Sequence, residues 1–222
     1  MNALMLPDEL ATAHSVLVIA PHQDDEILGC GNLMRAFSQI QTSLGVVWLT
    51  DGGSAFGPIS EVARLALATR RASEAIAGLR SMEIVVDRHF LGYPDGSLAE
   101  HAEAAAEQLR SLVRERAVDA MFVTDGDDGH PDHRAAFEIA HQIPGPAIYS
   151  YPVSARYDGN DVAPGRDAVT IAAGDGLAKR KALACHVSQH EGSEALYPLT
   201  AAAIDRFCAA PETFYRIRNR QS

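Results

Sequence analysis

Cysteine is scarce in this chain. Cys30, Cys185 and Cys208 are an odd number and form no CxxC pair, which argues against a disulfide framework and a thiolate metal site. Each is expected to be a small buried residue. Basic charge is short as well. Nineteen Lys and Arg stand against 29 Asp and Glu, for a net charge of −10. Duplex nucleic acid and anionic membrane, both negative themselves, are disfavoured as partners. The local exception, Arg216, Arg218 and Arg220, alternates and reads as a solvated strand edge and tail. No apolar run is long enough to span a bilayer. The N-terminus lacks the basic region, apolar run and cleavage site of a signal peptide. A cytoplasmic protein without membrane insertion is the expectation. Repeats, low-complexity tracts and linkers are absent too. The 222 residues, 47% of them hydrophobic, are expected to form one domain spanning 1–222 around one core.

What is present is a regular alternation. Short apolar, β-branched runs at Ser15–Ala20, Leu44–Thr50, Glu83–Phe90, Asp119–Thr124 and Ala147–Tyr151 read as buried strands. Helical spacing links Val62, Leu65, Thr69, Ala72, Ile76 and Leu79, and again Leu98, Ala102, Ala105, Leu109, Leu112 and Val113. Strands alternating with amphipathic helices predict a doubly wound, Rossmann-like α/β fold, with a mainly parallel sheet and helices on both faces. Ligands in such folds bind at the carboxyl ends of the strands. Residues Pro152 to Gly176 read as a long surface loop with a short strand near Ala168–Ala172. A helix over Gly176–His186 follows, and another begins near Pro198, a residue suited to a first helical turn.

Two clusters carry the chemistry. His22-Gln23-Asp24-Asp25-Glu26 directly follows the first strand and enters a helical pattern. One acid there could simply cap the helix. Two adjacent aspartates beside a histidine repel unless a cation or proton intervenes. The second cluster, His130-Pro131-Asp132-His133, follows the fourth strand and the acidic run Asp125-Gly126-Asp127-Asp128-Gly129. Together they offer nitrogen and oxygen ligands without sulfur. Three protein ligands plus an open position suit a catalytic zinc, and His22, Asp25 and His133 meet that need. The remaining acids and histidine are then free to act as base, acid and orienting groups.

PHQDDE followed by HPDH resembles the signature of the LmbE-like, or PIG-L, de-N-acetylases, PHPDDE with a downstream HPDH. Arg71-Ala-Ser-Glu74, Gly92-Tyr-Pro-Asp95-Gly96 and the segment from Lys179 to Gln189 are similar to further family motifs. The resemblance covers roughly residues 15 to 217. It departs at Gln23, which replaces the signature proline, and altered loop stiffness or substrate contact is expected there. The resemblance implies a Zn2+ cofactor held by His22, Asp25 and His133. It makes Asp24 the general base that deprotonates the attacking water and passes the proton to the leaving amine. His130 would stabilise the oxyanion, with Asp132 orienting and charge-tuning it so that it rests protonated. Arg71 and Asp95 match positions that contact sugar hydroxyls, or serve as a structural ion pair and an Asp-Gly turn. The implied substrate is an N-acylated, chiefly N-acetylated, amino sugar or conjugate, and a homo-oligomer is left open. Alternatives are a non-heme iron oxygenase, which also uses two histidines and a carboxylate, and a non-catalytic sugar-binding module on the same scaffold. A nucleotide-binding turn at Gly29-Cys30-Gly31 fails, because Met34 holds the place of the third glycine.

Overall fold

Every residue of the run SVLVIA is buried, so the strand it forms is covered on both faces and sits at the centre of the sheet. The computed structural model describes residues 6–217 apart from 41, 161–167, 175 and 191. In chain order the elements are α1 (Asp8–Ala11), β1 (Ser15–Ala20), α2 (Asp25–Gln39), β2 (Ser43–Thr50), α3 (Glu61–Ser81) and β3 (Asp87–Tyr93). A 3-10 turn at Leu98–His101 leads into α4 (Ala102–Glu115), followed by β4 (Ala120–Thr124), α5 (Pro131–His141), β5 (Ala147–Tyr151), α6 (Ser154–Tyr157) and β6 (Ala168–Ile171). The chain continues through α7 (Leu177–Leu183), a 3-10 turn at Val187–Gln189, α8 (Ala201–Ala209) and β7 (Glu212–Ile217).

The seven strands run in the order β3-β2-β1-β4-β5-β7-β6. The first five are parallel, and β7 pairs antiparallel with both β5 and β6. The doubly wound, mainly parallel fold expected from the sequence is therefore present. Side chains alternate across β1. Val16, Val18 and Ala20 join the cluster under α2, α3, α7 and α8, whereas Leu17 and Ile19 join the one under α4 and α5. Strand order reverses between β1 and β4, and at such a switch point a crevice opens beyond the carboxyl ends.

Several details differ from the sequence reading. The segment from Pro152, expected as a surface loop, opens with the buried Pro152 and Val153 and the short helix α6. Glu83 takes φ +59 and closes α3, so β3 starts at Asp87 and Val85 is 80% exposed. The buried face of α3 is Leu67, Arg71, Glu74, Ala75, Gly78 and Leu79. Val62 and Leu65 point to solvent, because this helix turns two charged residues inward toward the crevice. Pro198 precedes α8 and lies outside its first turn; Thr200 caps the helix, its hydroxyl accepting Ala203 N–H at 3.1 Å. Arg216 lies on β7, an interior strand of the sheet and not an edge, while Arg218 and Arg220 fall outside the described residues. Of the cysteines, Cys30 and Cys208 are buried and Cys185 is half-buried.

One buried ion pair fastens α2, the helix that begins the crevice floor. Lys179 Nζ donates to Leu28 O and to Glu212 Oε1, both at 2.7 Å. Glu212 also accepts the N–H groups of Asn32 and Leu33 at 2.7 and 2.9 Å. Both side chains are fully buried, so each charge depends on the other and on these backbone partners.

Candidate active site

The first cluster leaves β1 and turns into α2, so Asp25 and Glu26 stand in the first helical turn, at its positive end. His22 N–H donates to Asp25 Oδ2 at 2.9 Å, closing the turn. The same oxygen lies 3.2 Å from His22 Nδ1 and 3.2 Å from His133 Nε2. His133 comes from α5, where Pro131 occupies the first turn and His130 is the N-cap. Thus β1 and β4 bring His22, Asp25 and His133 together with one carboxylate oxygen between two imidazoles.

The outer nitrogens of both imidazoles also face carboxylates. His22 Nε2 lies 3.1 Å from Asp95 Oδ1 and 3.3 Å from Asp132 Oδ2. His133 Nδ1 lies 3.0 Å from Asp128 Oδ1. Burial pulls both imidazoles down, but the acids outweigh it. His22 is held well above its ordinary value by Asp95, Asp132 and Asp25. Asp25 and Asp128 carry His133 up to about 9. Burial pushes Asp25 up, but His133 and His22 hold it well below the usual carboxylate range.

Asp24 stands beside this group. Burial raises its pKa against the opposing charge of Arg71, whose Nη2 lies 3.3 Å from Asp24 Oδ1. Glu26, the third acid, is turned away. It accepts Trp48 Nε1–H at 2.9 Å and Asp24 N–H at 3.1 Å, and burial pushes it up to about 8.

The structure corrects the expectation for His130 and Asp132. Asp132 accepts the N–H groups of Gly96 and Leu98 at 2.7 and 3.1 Å and meets His22, so its carboxylate is not on His130. Instead the Asp132 backbone N–H donates to His130 Nδ1 at 3.2 Å. A helix cap needs an acceptor at Nδ1, which fits a neutral ring carrying its proton on Nε2. Burial and the charges of His22 and His133 hold His130 down at about 4, outweighing Asp25 and Asp132, which raise it as expected but by less.

Arg71 and Asp95 are placed in the same constellation. Both line the crevice, Arg71 donating to Gly52 O at 3.1 Å and Asp95 accepting Ser54 N–H at 3.0 Å. Gln23 is 1% exposed and ties β1 to β2 by donating Nε2–H to Thr50 O at 2.7 Å. It is not among the residues that line the crevice. Sequence reasoning gave no role to Asp128, which also accepts His130 N–H and Ser154 N–H at 2.9 Å each; its place in the DGDDG run beside HPDH was the only signal. Glu74, noted as a motif, accepts Ser188 Oγ–H at 2.6 Å and so fixes the 3-10 turn at the crevice wall.

These residues could hold a divalent cation. Ligand atoms of His22, His130 and His133, and likewise of His22, Asp95 and Asp132, lie within 4.8 Å of one another, and Asp25 Oδ2 stands 3.2 Å from both His22 and His133. The pattern of inner nitrogens sharing Asp25 and outer nitrogens held by acids is the arrangement that orients metal-binding histidines. An N/O donor set without sulfur suits zinc and similar ions.

Residues 17–143, more than half of the chain and including both clusters, match the PIG-L family, described as GlcNAc-PI de-N-acetylase. Over 150 residues the chain is 31% identical to the 1D-myo-inositol 2-acetamido-2-deoxy-alpha-D-glucopyranoside deacetylase of Salinispora arenicola (strain CNS-205), covering 56% of this chain and 48% of that protein. The chain thus spans about half the length of the curated relative it matches. Among solved structures, the N,N'-diacetylchitobiose deacetylase of Pyrococcus horikoshii superposes with a TM-score of 0.68 at 23% identity, over 84% of this chain and 74% of that one. The deacetylase of the A40926 pseudoaglycone gives 0.74 at 17%, over 94% and 99%. The 4-carboxy-2-hydroxymuconate hydratase GalB of Pseudomonas putida KT2440 gives 0.68 at 14%, over 94% and 98%, so the fold by itself does not select one chemistry. The match over residues 17–143, which contains PHQDDE and HPDH in full, makes this chain a member of the PIG-L, or LmbE-like, family.

Proposed function

We propose that the chain is a zinc-dependent hydrolase that removes an N-acyl group, N-acetyl in the simplest case, from an amino sugar or a GlcNAc-containing conjugate. The observation that carries this reading is the sharing of Asp25 Oδ2 by His22 and His133 at 3.2 Å each, with Asp24 free of that trio and poised beside it. His22, Asp25 and His133 would hold the metal, whose chemistry there would be to polarise the acyl carbonyl and lower the pKa of water.

The chain's own groups do the rest. Asp24 accepts a proton from the attacking water and returns it to the leaving amine; burial lifts its pKa in the direction that makes a carboxylate a better base. Arg71 holds Asp24 in place. His130, neutral, donates its Nε2–H to the developing oxyanion. Asp132 and Asp95 orient His22, and Asp128 orients His133. Asp95 and Ser54 border the space for the sugar. The proposed partner is a small molecule; among the described residues no helix is long and apolar enough to cross a membrane.

Metal content and amine release from a panel of N-acyl amino sugars test this reading. Turnover that requires zinc and yields carboxylate and free amine in equal amounts supports it. Oxygen consumption with an iron-loaded protein, or sugar binding without turnover, would replace it by an oxygenase or a binding module.

A further inference from the structure

The crevice encloses about 580 Å3, within the range of pockets that bury whole ligands. Its two sides differ, and the difference follows strand order. Ser54, Arg71, Asp95 and Gly96 face it from the loops and helix after β2 and β3. On the other side stand Leu28 of α2, Val153 and Tyr157 after β5, and Tyr197 and Leu199 before α8. Leu28, Val153 and Leu199 belong to the core cluster under α2, α7 and α8, and Tyr157 packs against it. The apolar side is therefore continuous with the hydrophobic core. Tyr157 Oη donates to Pro198 O at 2.7 Å, which pins the 197–199 segment on this side. Tyr197 is 74% exposed, and its ring centre lies 6.5 Å from that of His130, edge to face. Polar interruptions on this side are Ser154, Gln189 and the exposed Asp158; the first two are partly spent, Ser154 Oγ donating to Asp128 and Gln189 Nε2 to Ser188.

We propose that this apolar wall receives the acyl chain of the substrate, and that the preferred chain is longer than acetyl. The inference rests on the N-deacylase reading above. With the scissile amide at Asp24 and His130, the amine half lies against Arg71 and Asp95, and the acyl half points at Leu28, Val153 and Tyr197. Leu28, Val153 and Leu199 are already buried, so an acetyl methyl group would leave the exposed ring of Tyr197 and the half-buried Tyr157 wet, whereas a longer chain covers them. The reaction is unchanged in balance: the amide C–N bond breaks, the oxygen of water joins the acyl carbon, and its proton goes to the amine. The products are a longer carboxylate and the free amino sugar.

The test is a series of N-acetyl-, N-butanoyl-, N-hexanoyl- and N-octanoylglucosamine, read as kcat/KM by amine release with the zinc-loaded protein. Each added methylene that reaches the wall should raise kcat/KM by about fourfold. Val153→Thr, nearly isosteric, and Tyr197→Ser, on the surface, should each lower the octanoyl-to-acetyl ratio several-fold. Calorimetry with Asp24→Asn should give tighter binding and a more negative heat-capacity change as the chain lengthens. A flat or falling series with acetyl turned over would overturn the chain-length inference and leave the N-deacylase reading standing. No amine release from any member at full zinc occupancy would remove that reading. In that case equal affinity for acetyl and octanoyl compounds would overturn the acyl-wall assignment as well.

Discussion

Metal affinity should climb steeply with pH, because two imidazoles must lose protons before they can bind an ion. In the metal-free protein His133 is carried up to about 9 by Asp25 and Asp128, and His22 is also held well above its ordinary value. At pH 7 the His133 proton alone then weakens metal binding by about 100-fold relative to the fully deprotonated ring, or about 2.7 kcal/mol. With His22 adding its own proton, log affinity should rise by about two for each pH unit between 6 and 7. The assay is zinc competition against a chromophoric chelator across pH 6–8, corrected for the chelator's own protonation. Calorimetry in buffers of different ionisation enthalpy should count about two protons released per zinc at pH 7. A slope below one, or no net proton release, would refute the argument. Stability runs the other way in the metal-free protein. The raised His133 stabilises the fold fully below pH 6.5, and that contribution fades as pH rises through about 9. The Tm of the metal-free protein should therefore fall from pH 7 to 10, while that of the zinc-loaded protein should not follow it.

Asp128→Asn should weaken zinc binding by about 10- to 100-fold, since His133 loses the group that orients it; chelator competition measures this. His130→Ala should cut kcat by about 10²–10³ with zinc retained, whereas Asp132→Asn should act on His22 and the Gly96 turn and lower zinc affinity. Lys179→Ala should cost about 3–5 kcal/mol in denaturant unfolding, because it leaves the fully buried Glu212 charge unpaired. Gly29→Ala should cost about 1–3 kcal/mol by driving a methyl group into the buried Tyr151 ring.

Where local chemistry determines structure, the sequence was readable. The strands at β1, β2, β4 and β5 show as mostly apolar runs because both faces are covered. HPDH marked the start of α5 because proline fits a first turn. The parts that were missed depend on tertiary partners. β7 inserts between β5 and β6, and nothing in its own residues says whether it lies at an edge. The buried face of α3 carries Arg71 and Glu74, so counting apolar residues chose the wrong stripe. His22, Asp24, Asp25 and His133 were named from motif chemistry and do converge. Asp132 was paired with His130 because it is two residues away in the chain, yet its carboxylate reaches Gly96, Leu98 and His22 across the crevice. The apolar wall was invisible, since Val153, Tyr197 and Leu199 come from irregular segments with no periodicity to read.

The central claim is that Asp24 moves the proton while His22, Asp25 and His133 hold the metal. Amine release from N-acylglucosamines, measured together with bound zinc for the wild type and Asp24→Asn, tests it most directly. The account predicts that wild type turns over only when zinc is bound, and that Asp24→Asn keeps a full equivalent of zinc while losing nearly all turnover. Near-normal turnover by zinc-loaded Asp24→Asn, or undiminished turnover by metal-stripped wild type, would contradict it.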